Sequence, residues 1–148
     1  MLPKNLGAYI KGLAGLAWAL VAAAGSDNAA KTTDVIDRKG YLSGVLEIPW
    51  NATAVTDTKT LSIGVRRFQS ADNSAWDAAE VILAPTVVFT AANPTLAGTG
   101  TVEIDQDLSA CKRYVKYEVT ADLSHTSVDT ACYGCVFILG GADTAPVT

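Results

Sequence analysis

Behind Gly40, hydrophobic and polar positions alternate with a period of two, the signature of strands with one buried face. In Tyr41–Pro49, Leu42, Gly44, Leu46 and Ile48 fall on one face, and Ser43, Val45 and Glu47 on the other. Pro49 has no N–H to donate, so it is expected to end this strand or confine it to a sheet edge. Thr60–Arg66 repeats the pattern with Leu61, Ile63 and Val65 inward. Phe68 comes one position out of phase, which predicts a bulge or a change of sheet at Arg66 and Arg67. Further strands are expected over Glu80–Ala84, over Thr86–Ala91 beyond Pro85, and over Gly98–Asp105 with Val102 and Ile104 on one face. In Arg113–Thr120, Val115, Tyr117 and Val119 alternate with Tyr114, Lys116, Glu118 and Thr120. Cys132–Leu139 is apolar on both faces, as a central strand covered on both sides would be. Seven or eight such strands, joined by short turns, predict a mainly β protein: a β-sandwich of jelly-roll type.

The front of the chain reads differently. From Asn5 to Gly25 runs NLGAYIKGLAGLAWALVAAAG, which admits three readings. Lys4, the apolar stretch 13–21 and the three alanines before Gly25 have the layout of a secretory leader. A membrane span needs about 20 apolar residues, and extending this one backwards takes in Lys11 and Tyr9. The third reading, adopted here, is a docking helix. Asn5 serves as N-cap and Gly25 as the stop, and Leu6, Ile10, Leu13, Ala17 and Leu20 recur at spacings of three and four on one face. Ala8, Gly12, Gly15 and Ala19 make a second face of small residues. Residues 29–40 are polar, with Val35 and Ile36 as the large apolar pair, and are expected to form an extended connector. The chain therefore divides into a helical arm with its connector, 1–40, and a β-sandwich body, 41–148.

Charge follows the same division. Residues 1–40 hold five basic and three acidic side chains, a net +2, whereas the other 108 hold six basic and twelve acidic, a net −6. Fourteen of the sixteen threonines, a strand-favouring residue, also lie behind Gly40. An acidic pI of about 4.8 argues against general affinity for nucleic acid, because neutralising phosphates requires a basic footprint.

Candidate chemistry is sparse. His125 is the single histidine, so constellations that need two cannot be built within one subunit. Cys111, Cys132, Cys135 and His125 have the composition of a zinc set. On a strand, however, Cys132 and Cys135 point to opposite faces, and buried reduced thiols are expected instead. Ser124, His125 and Asp122 or Asp129 contain the residue types of a nucleophilic triad, but adjacent residues are badly placed to act as nucleophile and base. Glu103 with Asp105, or Asp105 with Asp107, reads as the solvent side of a strand. No enzyme activity, metal or cofactor is expected. Ser70-Ala71-Asp72-Asn73-Ser74-Ala75-Trp76 is turn chemistry closed by an aromatic ring. Trp50 and Trp76 are residues that can stack on sugars, which leaves a carbohydrate-binding module as the alternative function.

Three stretches, TLSIGVRRFQSADNSAW, ACKRYVKYEVTADLSHTSVDTA and VFILGGADTAPVT, resemble the small capsid decoration (cement) proteins of tailed bacteriophages. The matching positions are Ser70, Asp72, Ser74 and Trp76; Arg113 and Tyr114; and Gly140, Gly141, Ala142, Asp143 and Pro146. The resemblance covers roughly 41–148 and leaves out the alanine-rich front. It implies a jelly roll on the exterior of an icosahedral virion, assembled in the host cytoplasm. Such a protein forms a dimer or trimer with itself and staples neighbouring copies of the phage major capsid protein, without nucleic acid or membrane as partner. The expected contact residues are Leu6, Ile10, Leu13, Trp18 and Leu20 from the arm, Arg66, Arg67 and Trp76 from the body, and Asp143 and Pro146 from the tail.

Overall fold

In the computed structural model, residues 10–22, 28–93, 95–124 and 129–142 are described. They form nine strands: β1 (Lys11–Ala22), β2 (Lys31–Thr32), β3 (Ile36–Asp37), β4 (Tyr41–Thr53), β5 (Thr60–Ser70), β6 (Glu80–Thr90), β7 (Ala97–Asp107), β8 (Tyr114–Leu123) and β9 (Thr130–Ala142). One antiparallel sheet has the order β1-β9-β4-β7, and the other β2-β8-β5-β6, with β3 also on β8. Lys31 pairs with Val119 and Ile36 with Val115, so β2 and β3 are two pieces of one interrupted strand along β8. Counted that way, eight strands divide as first-eighth-third-sixth and second-seventh-fourth-fifth, the order of a jelly roll.

The alternating runs of the body became strands with their apolar faces inward. Leu46, Ile48, Leu61, Ile63, Val65, Val115, Tyr117, Val119, Phe137 and Leu139 are almost wholly buried. Each such large side chain contributes about 1.5–3 kcal/mol of apolar transfer free energy. Tyr117 stacks on Phe137 across the two sheets, with ring centroids 5.2 Å apart. Gly44 and Gly100 make room for aromatic rings. A Cβ on Gly44 would lie 2.5 Å from the Phe137 ring, and one on Gly100 would lie 2.6 Å from the Trp50 ring.

Four expectations are corrected. The helical arm is absent: 11–22 form β1, and no helix occurs among the described residues. The open edge of β9 accounts for this. Leu13 pairs opposite Phe137 and packs on the core, which a strand of mixed Ala, Gly and Leu achieves as readily as a helix once a ladder is available. Helix interiors also penalise Gly12 and Gly15 by about 1 kcal/mol each. The connector likewise joins a sheet, through β2 and β3. Pro49 sits inside an inner strand, where hydrogen-bonded pairing with β9 lapses between Glu47 and Trp50 and resumes in the same register. Finally, β5 does not change sheets at Arg66 and Arg67. Its register along β8 is continuous, the expected irregularity lies on the other side, where pairing with β6 shifts between Val65 and Arg66, and Phe68 is on the outer face because Arg67 occupies the inward position.

Candidate interaction surface

Along β9, Tyr133, Cys135, Phe137 and Leu139 face the core, so Cys132, Gly134, Val136, Ile138 and Gly140 face outward. The neighbouring edge strand β1 adds Leu20, opposite Cys132, and Trp18, whose ring covers Gly134. A Cβ on Gly134 would lie 3.3 Å from that ring. Trp18 and Leu20 remain 55% and 69% exposed, and Val136 41%. Together they form an apolar strip beside an edge whose outer backbone groups have no strand partner among the described residues. Toward the other edge, the same outer face turns acidic through Glu47, Glu103, Asp105 and Asp107. Glu47 and Glu103 are directly opposite in register.

Of the contact residues expected from sequence, Trp18 and Leu20 are thus brought together, and Ile10 lies at the start of β1, partly exposed. Leu13 is separated from them because a strand turns it inward, where a helix would have kept it on the face of Leu20. Leu6, Asp143 and Pro146 lie outside the described residues, as does His125.

Arg66 and Arg67 point to opposite faces. Arg66 is on the outside and pairs with Glu118. Arg67 is buried: one terminal nitrogen donates to Glu80 Oε2 at 2.7 Å and the other to Gln106 Oε1 at 3.2 Å. Gln106 Oε1 also accepts from the Tyr117 hydroxyl at 3.2 Å, and burial pushes that phenol well above its usual range. Only Arg66 of the two therefore presents its guanidinium on the surface.

Trp76 is half-buried over the outer face of the second sheet, where Lys116 Nζ sits 4.2 Å from its ring centroid. The loop that carries it is held by Asp72. Its carboxylate accepts from the N–H groups of Ser74 and Ala75 at 2.9 and 3.0 Å and from the Ser70 hydroxyl at 3.0 Å, which lowers its pKa. Asn73 takes the left-handed conformation at the turn, a place where Asn is tolerated.

Trp50 is a core residue, 8% exposed and packed against Phe89, so it is not available to stack on a sugar. Cys135 is buried and its thiol is pushed up to about 11, whereas Cys132 is partly exposed on the other face. Among the described residues no three metal-ligating side chains converge. Ser124 Oγ accepts a hydrogen bond from the Thr60 N–H at 2.8 Å, tying the β8 end to β5.

Sequence reasoning missed Val136, Ile138 and Val45 as partners of the apolar strip. The available signal was β9 itself: apolar on both faces, it needed a cover on its outer side.

No protein-family model and no curated protein matches the sequence. Solved structures do. The chain is similar to the protein of the T13 particle of infectious bursal disease virus, with a TM-score of 0.55 and 11% identity over 93% of this chain and 33% of that one. It is also similar to the VP2 protein of infectious bursal disease virus in T=1 particles, at 0.52 and 8% identity over 90% of this chain and 32% of that one. A xylan-binding module, CBM15, superposes at 0.44 with 19% identity over 95% of both chains, a likeness too loose to carry the fold. The chain spans about a third of the viral proteins' length, and what it shares with them is the jelly-roll fold.

Proposed function

We propose that this chain is a structural virion protein that decorates the outside of a tailed phage's icosahedral capsid and stabilises it by bridging major capsid subunits. The observation that carries the reading is the exposed apolar strip of Trp18, Leu20 and Val136 beside the open edge of β1. Exposed aromatic and aliphatic side chains next to an unpaired edge are the anchors that protein interfaces use. The jelly roll shared with viral-particle proteins supports it, as does the turn and tail pattern of the sequence. Repetition on a symmetric shell multiplies one modest contact, so each copy needs little area, and self-association as a dimer or trimer would add to the avidity. The carbohydrate-binding alternative has lost Trp50 to the core and keeps Trp76, whose ring is already in contact with Lys116.

The test is reconstitution. Purified chain is added to native particles stripped of it, and sedimentation and electron microscopy count the copies bound. Saturable rebinding in a number set by icosahedral symmetry is expected. Trp18→Ser with Leu20→Ser should weaken it about tenfold or more while leaving the unfolding midpoint near the parent's. No rebinding by the parent chain, or full rebinding by the variant, overturns the reading.

A further inference from the structure

Among the described residues the sandwich has four open edges: β1 and β7 on the first sheet, and β6 and the interrupted strand of β2 with β3 on the second. Open edges invite pairing with another chain, and folds blunt them with charge, proline or brevity. Three of the four are blunted. β7 carries Glu103, Asp105 and Asp107 at alternate positions, β6 has Pro85 in its middle, and β2 and β3 have two residues each. β1 differs: it is 12 residues long, with no charged residue and no proline over 12–22. Its ladder on β9 is regular in two matched stretches, 11–14 and 19–22, and irregular between them. The second sheet's edge stands beside that irregular stretch. There Asp34 donates to the Gly15 carbonyl, and a cavity of about 350 Å³ is lined by Leu16 and Ala17 from one edge and Thr32 and Asp34 from the other.

We propose that β1 pairs antiparallel with β1 of a second copy about a twofold axis at Ala17, joining two four-stranded sheets into one of eight. Symmetry about Ala17 sets 12–14 of each copy against 20–22 of the other, so the regular stretches meet and the irregular one stays at the axis. Leu13 comes opposite Val21. Their partners on β9, Phe137 and Ala131, are both buried, so the two copies keep their core faces on the same side. Trp18 lies one residue from the axis, and with Leu20 the two exposed strips merge into one apolar band on the outer face. Charge complements the pairing. Lys31 and Asp34 are exposed on the second sheet's edge, and neither belongs to an ion pair among the described residues. An axis at Ala17 passes beside Thr32, between them, so Lys31 of each copy faces Asp34 of the other. The acidic β7 strands are carried to opposite ends of the joined sheet, about 34 Å apart and well beyond a screening length of about 8 Å. A contact along β1, about 40 Å by 10 Å, covers about 400 Å² per copy, half of a standard interface, so the free dimer is weak, with a Kd of about 10 µM or above. The pairing gives the self-association named above its surface. It is read on the free chain, so its failure and that of the capsid reading are distinguishable.

The test is sedimentation of the free chain from about 1 µM to about 1 mM, where the mass is expected to rise from one copy toward two and no further. Ala17→Lys, at an exposed site outside the β9 ladder, sets two ammonium groups together at the axis and should weaken the dimer about tenfold or more. Asp34→Lys should weaken it about threefold or more, and Lys31→Asp added to it should restore the parent's affinity. Residues facing each other in an antiparallel pair have Cα atoms about 4.5–5.5 Å apart, within disulfide reach. In a Cys132→Ser background, Ala17→Cys should therefore cross-link two copies under mild oxidation, and Thr101→Cys on β7 should not. A chain that stays monomeric to the highest concentration overturns the proposal. So does a mass that grows beyond two copies, a dimer indifferent to both Ala17→Lys and Asp34→Lys, or cross-linking through Thr101→Cys and not Ala17→Cys.

Discussion

The backbone N–H of Asp34 donates to the carbonyl of Gly15 at 2.9 Å, joining the edge of one sheet to the edge of the other. Both residues sit at irregularities. The β1 ladder shifts register between Ala14 and Leu16, and Asp34 lies in the gap between β2 and β3. A register shift in one sheet thus faces a break between two strands in the other, and the backbone groups freed there bond to each other. This bond helps close the open side of the sandwich where β1 meets the interrupted second strand.

Gly15 is consequently a poor place for any side chain. A Cβ there would lie 2.7 Å from Cys135 Sγ and 3.3 Å from its carbonyl oxygen. Gly15→Ala should destabilise the fold by about 1–3 kcal/mol, read from urea unfolding. Adding Cys135→Ala removes the nearer contact and should recover part of the loss. If Gly15→Ala unfolds at the parent's midpoint, β1 is not seated against Cys135 as described.

Arg67 holds the inner polar cluster. Its two terminal nitrogens diverge to Glu80 and Gln106, and Tyr117 shares the Gln106 oxygen. Arg67→Ala leaves buried polar groups without their partner and should cost about 2–4 kcal/mol. Arg67→Lys should rescue only part, because a single ammonium group does not reproduce the planar fork. Equal stability of the Lys variant and the parent would show that a positive charge alone suffices there.

Asp37 and Arg113 give the stability a definite pH dependence. Arg113 donates from Nε at 3.0 and 3.2 Å and from its terminal nitrogen at 2.6 Å, and this pairing holds the Asp37 carboxyl below the usual range. A carboxyl whose pKa is lower in the folded chain stabilises it above the ordinary carboxylate range, and that stabilisation is lost as pH falls through the folded value. Asp37→Asn should therefore be slightly less stable than the parent at neutral pH, with the difference closing in acid. Denaturant midpoints of the two proteins at several pH values measure it. A difference that stays constant or widens toward low pH contradicts the pairing.

The strands of the body were legible because a face buried against a second sheet forces alternation, as Leu61, Ile63 and Val65 show. Pro85 was misread as a break between two strands: β6 runs through it as one strand, Glu80–Thr90, because at a sheet edge a missing N–H costs little. The front was misread for a physical reason. Leu6, Ile10, Leu13, Ala17 and Leu20 satisfy a helical period, and an alanine- and glycine-rich run carries no period-two signal strong enough to oppose it. Phe68 misled in part: the β5–β6 ladder does shift register between Val65 and Arg66, but Phe68 is out of phase because the inward place had gone to a charged residue, Arg67.

By itself the sequence determined the class of fold, the inward residues of the body, the turn at Asp72 and the acidic character of the chain, because each of these rests on local period, local hydrogen bonding or simple charge. Only the tertiary structure decided that 11–22 become a strand, that Arg66 and Arg67 part company, and that Trp18, Leu20 and Val136 share one surface. Those outcomes depend on β9 offering an open ladder and on which neighbour each side chain meets across the sheets, and such long-range pairings leave no trace in the spacing of residues along the chain.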